Sequence, residues 1–66
     1  MDPTLFALCC EYGFQAWMSG GSISQAAAAV AKEQGHNLTH QEAADVQIAV
    51  HKETTRQTIA KIRAMH

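Results

Sequence analysis

The side chains best suited to chemistry in this chain are its histidines and cysteines. His36 and His40 are four residues apart, a spacing at which two helical side chains can bind one metal ion. Gly35 places His36 in a loop or at a helix end, however, and Cys9 and Cys10 are adjacent within an apolar run. A structural zinc site needs four ligands in separated pairs. We therefore predict no metal site.

The sequence also lacks the pattern of a catalytic site. Catalysis needs a nucleophile beside a base, or paired acids, in a pocket that a chain of 66 residues can rarely enclose. Gly20-Gly21 is a bare pair without the Walker pattern of a phosphate loop. We predict that the protein is not an enzyme and uses no cofactor.

The length of the chain limits its core. We predict one domain, residues 1–66, and a domain of this size hides only about 60% of the surface that its unfolded form exposes. Such domains usually need a disulfide, a metal or a second subunit. Neighbouring helical side chains point about 100° apart, so Cys9 and Cys10 cannot comfortably bridge. A second subunit is the remaining candidate.

Composition also predicts the compartment. There is no basic leader region and no uninterrupted span of about 20 apolar residues, so we expect neither secretion nor membrane insertion. Two unpaired cysteines fit a reducing environment. The predicted location is the cytoplasm.

Charge is unevenly distributed along the chain, although the net charge is only −1. Residues 1–45 hold five acidic side chains and one lysine, which gives −4, and residues 46–66 hold four basic side chains and one glutamate, which gives +3. Any attraction for phosphate or for an acidic partner should therefore lie at the C-terminal end, where the more common role of such charges is that of a solvated helix end.

Caps and glycines predict three helices, over residues 3–18, 22–34 and 39–65. Asp2-Pro3 can begin the first, and Gly20-Gly21 ends it. Ser22 begins the second and Gly35 stops it. Thr39 and Glu42 form a capping box for the third, after which no glycine or proline follows.

The first helix is apolar on almost every side. In so small a protein Tyr12, Phe14 and Trp17 are expected in the core. Trp17 with Met18, beside the glycine turn, is the exception and a candidate anchor for a partner.

The third helix has two apolar faces. Projected at about 100° per residue, Ala43, Val46 and Val50 share one side, and a second set lies roughly 150° or more away. That second set comprises Ile48, Thr55, Ile59 and Ile62. One continuous helix would then serve two partners, whereas a break near residues 51–53 would let both faces meet one core.

A continuous third helix predicts a homodimer, because its far half projects beyond the shorter helices. The fold class is then all-α: three helices, the last one long, in a homodimeric helical bundle. The predicted dimer interface consists of Phe6, Cys10, Phe14, Ile59, Ile62 and Met65.

A broken third helix predicts a different protein. The stretch Leu38 to Asp45, followed by Val50, Thr54, Arg56 and Ile59, resembles over about 22 residues the helix-turn-helix of small DNA-binding regulators. The resemblance implies a second helix that enters the major groove. Lys52, Thr55, Arg56 and Gln57 would then face DNA, within residues 52–63.

Because the chain is slightly acidic and DNA-binding domains are usually basic, we rank protein binding first. We predict a non-catalytic regulator: an adaptor, antagonist or assembly factor that acts as a homodimer on a host or partner protein of unknown identity. Chains this short are common products of phage and plasmid genomes, an origin that we take only as a hypothesis. The predicted partner-binding residues are Trp17, Met18, Lys52, Arg56 and Arg63.

Overall fold

The protein is all-helical over residues 1–65, the part that the computed structural model describes; His66, the last residue of the predicted domain, lies outside it. The helices are α1 (Pro3–Met18), α2 (Ile23–Glu33) and α3 (His40–Ala64). Each predicted bound is correct to within one residue. Helix α3 is continuous, so the alternative of a break near residues 51–53 does not occur.

Local hydrogen bonds explain where the helices begin. Asp2 Oδ2 accepts from the Leu5 N–H at 3.3 Å, and Ser22 Oγ accepts from the Gln25 N–H at 3.4 Å. At α3 the capping box is complete in both directions, with distances of 3.1 and 3.0 Å. These bonds satisfy N–H groups that have no partner in the first helical turn.

Two glycines allow the chain to reverse after α1 and α2. Gly20 and Gly35 have φ angles of 84° and 78°. This left-handed conformation is cheap only without a Cβ atom. Both helices therefore stop where the sequence predicts.

The core is built mainly of small side chains. Cys9, Ile23, Ala27, Ala31, Val46 and Val50 are buried, and six further apolar side chains, which are only partly buried, pack around them. Cys9 Sγ lies 3.6 Å from the Ala27 carbonyl oxygen, so α1 approaches the backbone of α2 closely. Ala27 and Ala31 of α2 thus form packing surface, whereas Ala28 and Ala29 are exposed.

The expectation that Tyr12 lies in the core is wrong, since its side chain is 47% exposed. Phe14 is half-buried, and Trp17, the expected exception, is 44% exposed. With Cys9, Ala27 and Ala31 at the centre, the helices lie too close together to admit a large ring. The aromatic side chains consequently lie around the edge of the core.

Candidate partner-binding surface

The second half of α3 extends beyond the other two helices. Trp17, near the end of α1, packs edge-on against His51 with 5.1 Å between the ring centroids. Glu53 and Thr54 are the last half-buried residues, and every residue from Thr55 to Met65 is exposed. We call residues 55–64 the α3 extension. It is about 15 Å long and contributes to a longest molecular dimension of 46 Å.

An apolar stripe runs along the outside of α3 and continues onto this extension. Ile48, Ile59 and Ile62 are 53%, 44% and 51% exposed. At about 100° per residue, their mean direction lies about 170° from that of the buried Val46 and Val50. Together with the intervening Lys52 and Thr55 they form what we call the outer stripe: Ile48, Lys52, Thr55, Ile59 and Ile62. The prediction of two apolar faces is therefore correct.

A basic row borders the outer stripe. Lys52, Arg56 and Arg63 are exposed and lie within about 40° of one another around α3. Arg56 donates to both carboxylate oxygens of Glu53, at 2.8 and 3.1 Å. This pair lowers the pKa of Glu53 and orients the guanidinium along the helix. Apolar and basic groups thus form one continuous surface.

The six predicted dimer residues do not form one surface. Phe6, Cys10 and Phe14 are half-buried against the core. Cys10 and Phe14 line an open groove of about 600 Å³, whose other wall is Ala49, Glu53 and Gln57 of α3. Ile59 and Ile62 point away from that groove, and Met65 is 84% exposed at the end of α3. The structure therefore brings together Ile59 and Ile62 and separates them from the α1 members.

Trp17 and Met18 form a second exposed apolar group. Met18 is 59% exposed, and Trp17 remains partly open although one edge of its ring meets His51. The prediction that this end of α1 is accessible is confirmed. Its place beside His51 puts it near one edge of the outer stripe.

The predicted DNA-reading residues do not share one face. Thr55 belongs to the outer stripe, whereas Gln57 donates to Glu53 Oε1 at 3.1 Å and lines the groove against α1. Around the axis of α3, Lys52 and Arg56 lie between Thr55 and Gln57. Since α3 is unbroken, the two-helix arrangement that the resemblance implied is not formed.

His36 pairs with an acid rather than with His40. Its Nε2 atom lies 3.0 and 3.1 Å from the two carboxylate oxygens of Glu42. The Thr39 backbone N–H and His36 together lower the pKa of Glu42 from its ordinary 4.5 to about 2. Within residues 1–65 no three His, Cys, Asp or Glu side chains gather as metal ligands would. This cluster joins the loop after α2 to the start of α3.

Both thiols pack against apolar neighbours. Burial raises the pKa of Cys9 and of Cys10. A raised pKa keeps each thiol protonated and therefore a weak nucleophile. Their arrangement serves packing.

Ile48 and Asp45 are the surface residues that the sequence-based site prediction missed. The signal was available in their spacing, because residues 45, 48, 52, 55, 59 and 62 alternate steps of three and four. Such alternation keeps side chains on one seam of a helix. Polar residues at positions 45, 52 and 55 hide this pattern from a search for apolar residues.

A comparison with known protein families, curated proteins and solved structures finds no match to this chain. In the part of the chain that the structure describes, no helix combines the length and apolar character needed to cross a membrane.

Proposed function

We propose that the protein is a small, non-catalytic protein-binding regulator that works as a homodimer, as an adaptor, antagonist or assembly factor for another protein. One observation carries the proposal: every residue of the α3 extension is exposed, and its apolar side chains Ile59 and Ile62 lie along the outer stripe. An exposed apolar surface of this kind is typical of a protein–protein interface.

The energetics of a free helix support this conclusion. The extension continues a helix that is already nucleated, so it depends on propagation alone. Residues 55–64 include two threonines and two isoleucines, which favour a helix less than alanine does. Helices in proteins gain most of their stability from burying an apolar face. The outer stripe is such a face, and contact with a second chain would stabilise the extension.

The proposed target of the dimer binds at the edge of this surface. Trp17 and Met18 supply exposed apolar area, and Lys52, Arg56 and Arg63 supply positive charge. Aromatic and arginine side chains dominate the energetics of many interfaces. The two groups lie on opposite edges of the outer stripe, so the target is expected to contact them through two separate patches, one apolar and one acidic.

The test is solution mass by light scattering over a series of concentrations, with a matched pair of variants. Ile59→Asp places a charge in the outer stripe, and Ala60→Asp places the same charge on the adjacent position, facing away from it. We expect a dimer for the wild type and for Ala60→Asp, and a monomer for Ile59→Asp, because a buried unpaired carboxylate is costly.

Circular dichroism shows whether a variant has lost its dimer or has unfolded. Both variants should retain the thermal unfolding of residues 1–54, since residues 59 and 60 are exposed in the monomer. A monomeric wild type, or an Ile59→Asp variant that dimerises as the wild type does, would contradict the proposal.

A second candidate, DNA binding, is favoured by the basic row. Lys52, Arg56 and Arg63 present three cations on one side of an exposed helix. Phosphate contacts make DNA affinity fall steeply with salt. A salt titration against random duplex DNA separates the two functions: steeply salt-dependent binding supports a DNA-binding regulator, and no binding at physiological salt supports the protein-binding regulator.

A further inference from the structure

The outer stripe has the spacing of a coiled-coil seam. Its members follow one another by four, three, four and three residues, and Asp45 precedes Ile48 by three. This repeat places side chains at the a and d positions, where each inserts between residues of a facing helix. No helix of residues 1–65 faces the stripe in the monomer, since Ile48, Ile59 and Ile62 are about half exposed.

Charge along α3 indicates which helix fits. The first part of α3, residues 40–50, carries Glu42 and Asp45, for a net charge of −2. Residues 51–64 carry four basic side chains and Glu53, for a net charge of +3. A second α3 running in the opposite direction would place acidic beside basic ends twice, once at each end of the seam.

We propose that two copies of α3 pair antiparallel along the outer stripe, with Asp45 of each copy bound to Arg63 of the other. This inference rests on the proposed function, because it specifies how the homodimer forms. Ile48 of one copy packs against Ile59 of the second, and Ile62 packs beside Asp45. The carboxylate of Asp45 is exposed in the monomer, where its Oδ1 accepts from Gln41 Nε2 at 2.9 Å, so its other lone pairs can accept from a guanidinium.

Parallel pairing is disfavoured by the same residues. It would bring identical positions face to face, so that Lys52 would meet Lys52 at the middle of the seam and Asp45 would meet Asp45. In the antiparallel arrangement Lys52 lies opposite Thr55, and its ammonium group can reach solvent beyond its aliphatic stem. A lysine at a core position selects register and orientation at some cost in affinity.

The proposal assigns Arg63 to the dimer rather than to the target. Residues 45–62 span about 26 Å of helix, and a seam of this length with a polar centre is short. We therefore expect the dimer to dissociate on dilution. Low ionic strength should favour it, because the ion pairs lie at the surface and are screened by salt.

Charge reversal tests the pairing. Asp45→Arg and Arg63→Asp are made singly and together, and each protein is measured by light scattering at low ionic strength. Each single variant should raise the dimer dissociation constant about tenfold or more, because two attractive pairs become two repulsive ones. The double variant should recover most of the affinity.

The two single variants provide a second readout when they are mixed. In a dimer of one Asp45→Arg chain and one Arg63→Asp chain, opposite charges meet at both ends of the seam. Two proteins that associate weakly alone should therefore form a heterodimer. At a concentration low enough to keep the wild type monomeric, thermal unfolding of each variant should match that of the wild type, since residues 45 and 63 are both exposed.

The outcomes separate this inference from the function on which it rests. If Ile59→Asp dissociates the wild-type dimer but the charge variants dimerise like the wild type and do not prefer each other, the antiparallel register is wrong and the homodimer stands. If the wild type is monomeric at every concentration, both the antiparallel pairing and the homodimer are wrong.

Discussion

At the scale of single residues, Gly13 lies on α1 at a point where α2 and α3 both approach it. It is buried on α1, and a Cβ atom there would lie 3.0 Å from Ile23 Cγ2 and 3.5 Å from Val50 Cγ2. The first distance is shorter than an ordinary contact between methyl carbons, which is about 3.5–4.0 Å. The glycine costs about 1 kcal/mol of helix propensity and allows this approach.

We expect Gly13→Val to destabilise the protein by about 1–3 kcal/mol, the usual range for an overpacked core. The measurement is urea unfolding followed by circular dichroism. Gln15→Val is the control, since position 15 is exposed on the same helix and surface substitutions usually change stability by about 0.5 kcal/mol or less. Equal unfolding midpoints for the two variants would show that the contact at Gly13 is not tight.

Residue burial was the part of the structure that the sequence predicted least well. Tyr12 was expected inside because large aromatic side chains are usually buried in a small core, and it is nearly half exposed. The deciding factor is the distance between helices, which Cys9, Gly13 and Ala27 set by their small size. That distance depends on which helices pack against each other. It cannot be predicted from the hydrophobicity pattern of a single helix.

At the scale of the elements, prediction succeeded because helix ends depend on neighbouring residues. Asp2, Ser22 and Thr39 cap their helices within three residues of themselves, and Gly20 and Gly35 adopt positive φ angles in place. These local interactions depend little on how the helices pack against one another, so the sequence is sufficient to predict them. Whether α3 breaks near position 51 was harder to predict, since both alternatives bury the same apolar residues.

The start of α3 should respond to acid. Glu42 has its pKa lowered from its ordinary 4.5 to about 2 by the Thr39 N–H and by His36. The folded protein therefore holds fewer protons here than the unfolded chain at pH values between these two. The stabilisation is fully present above pH 4.5 and is lost as the pH falls through about 2.

We expect the free energy of unfolding to fall as the pH is lowered through this window, and to fall less steeply in Glu42→Gln. The amide can still accept the Thr39 N–H, as glutamine does in other capping boxes, but it does not titrate. Denaturant unfolding at a series of pH values measures both slopes. Identical slopes would mean that Glu42 is not the group responsible.

At the scale of the whole molecule, the packed part of the chain ends near residue 54, and the sign of the charge changes at about the same position. Residues 1–54 contain the core and all six acidic side chains, and the α3 extension has little packing and a net positive charge. The sequence predicted the uneven charge and the projecting helix. The sequence did not predict that the α1 and α3 residues of the proposed dimer interface lie on different surfaces. Their separation depends on how α3 is rotated relative to α1, which follows from core packing.

This division predicts two different responses to concentration. The helical core of residues 1–50 is held by contacts within one chain, so its backbone amides should be protected from hydrogen exchange at any protein concentration. Amides of the α3 extension have no tertiary contacts in the monomer and should exchange rapidly when the protein is dilute. Raising the concentration should slow their exchange by about tenfold or more, as the outer stripe becomes covered, and Ile59→Asp should abolish that change.

Mass spectrometry of peptides from each region gives both rates in one sample. An extension whose exchange is slow and independent of concentration would mean that it is stable without a second chain, and the main physical reason for a homodimer would be lost.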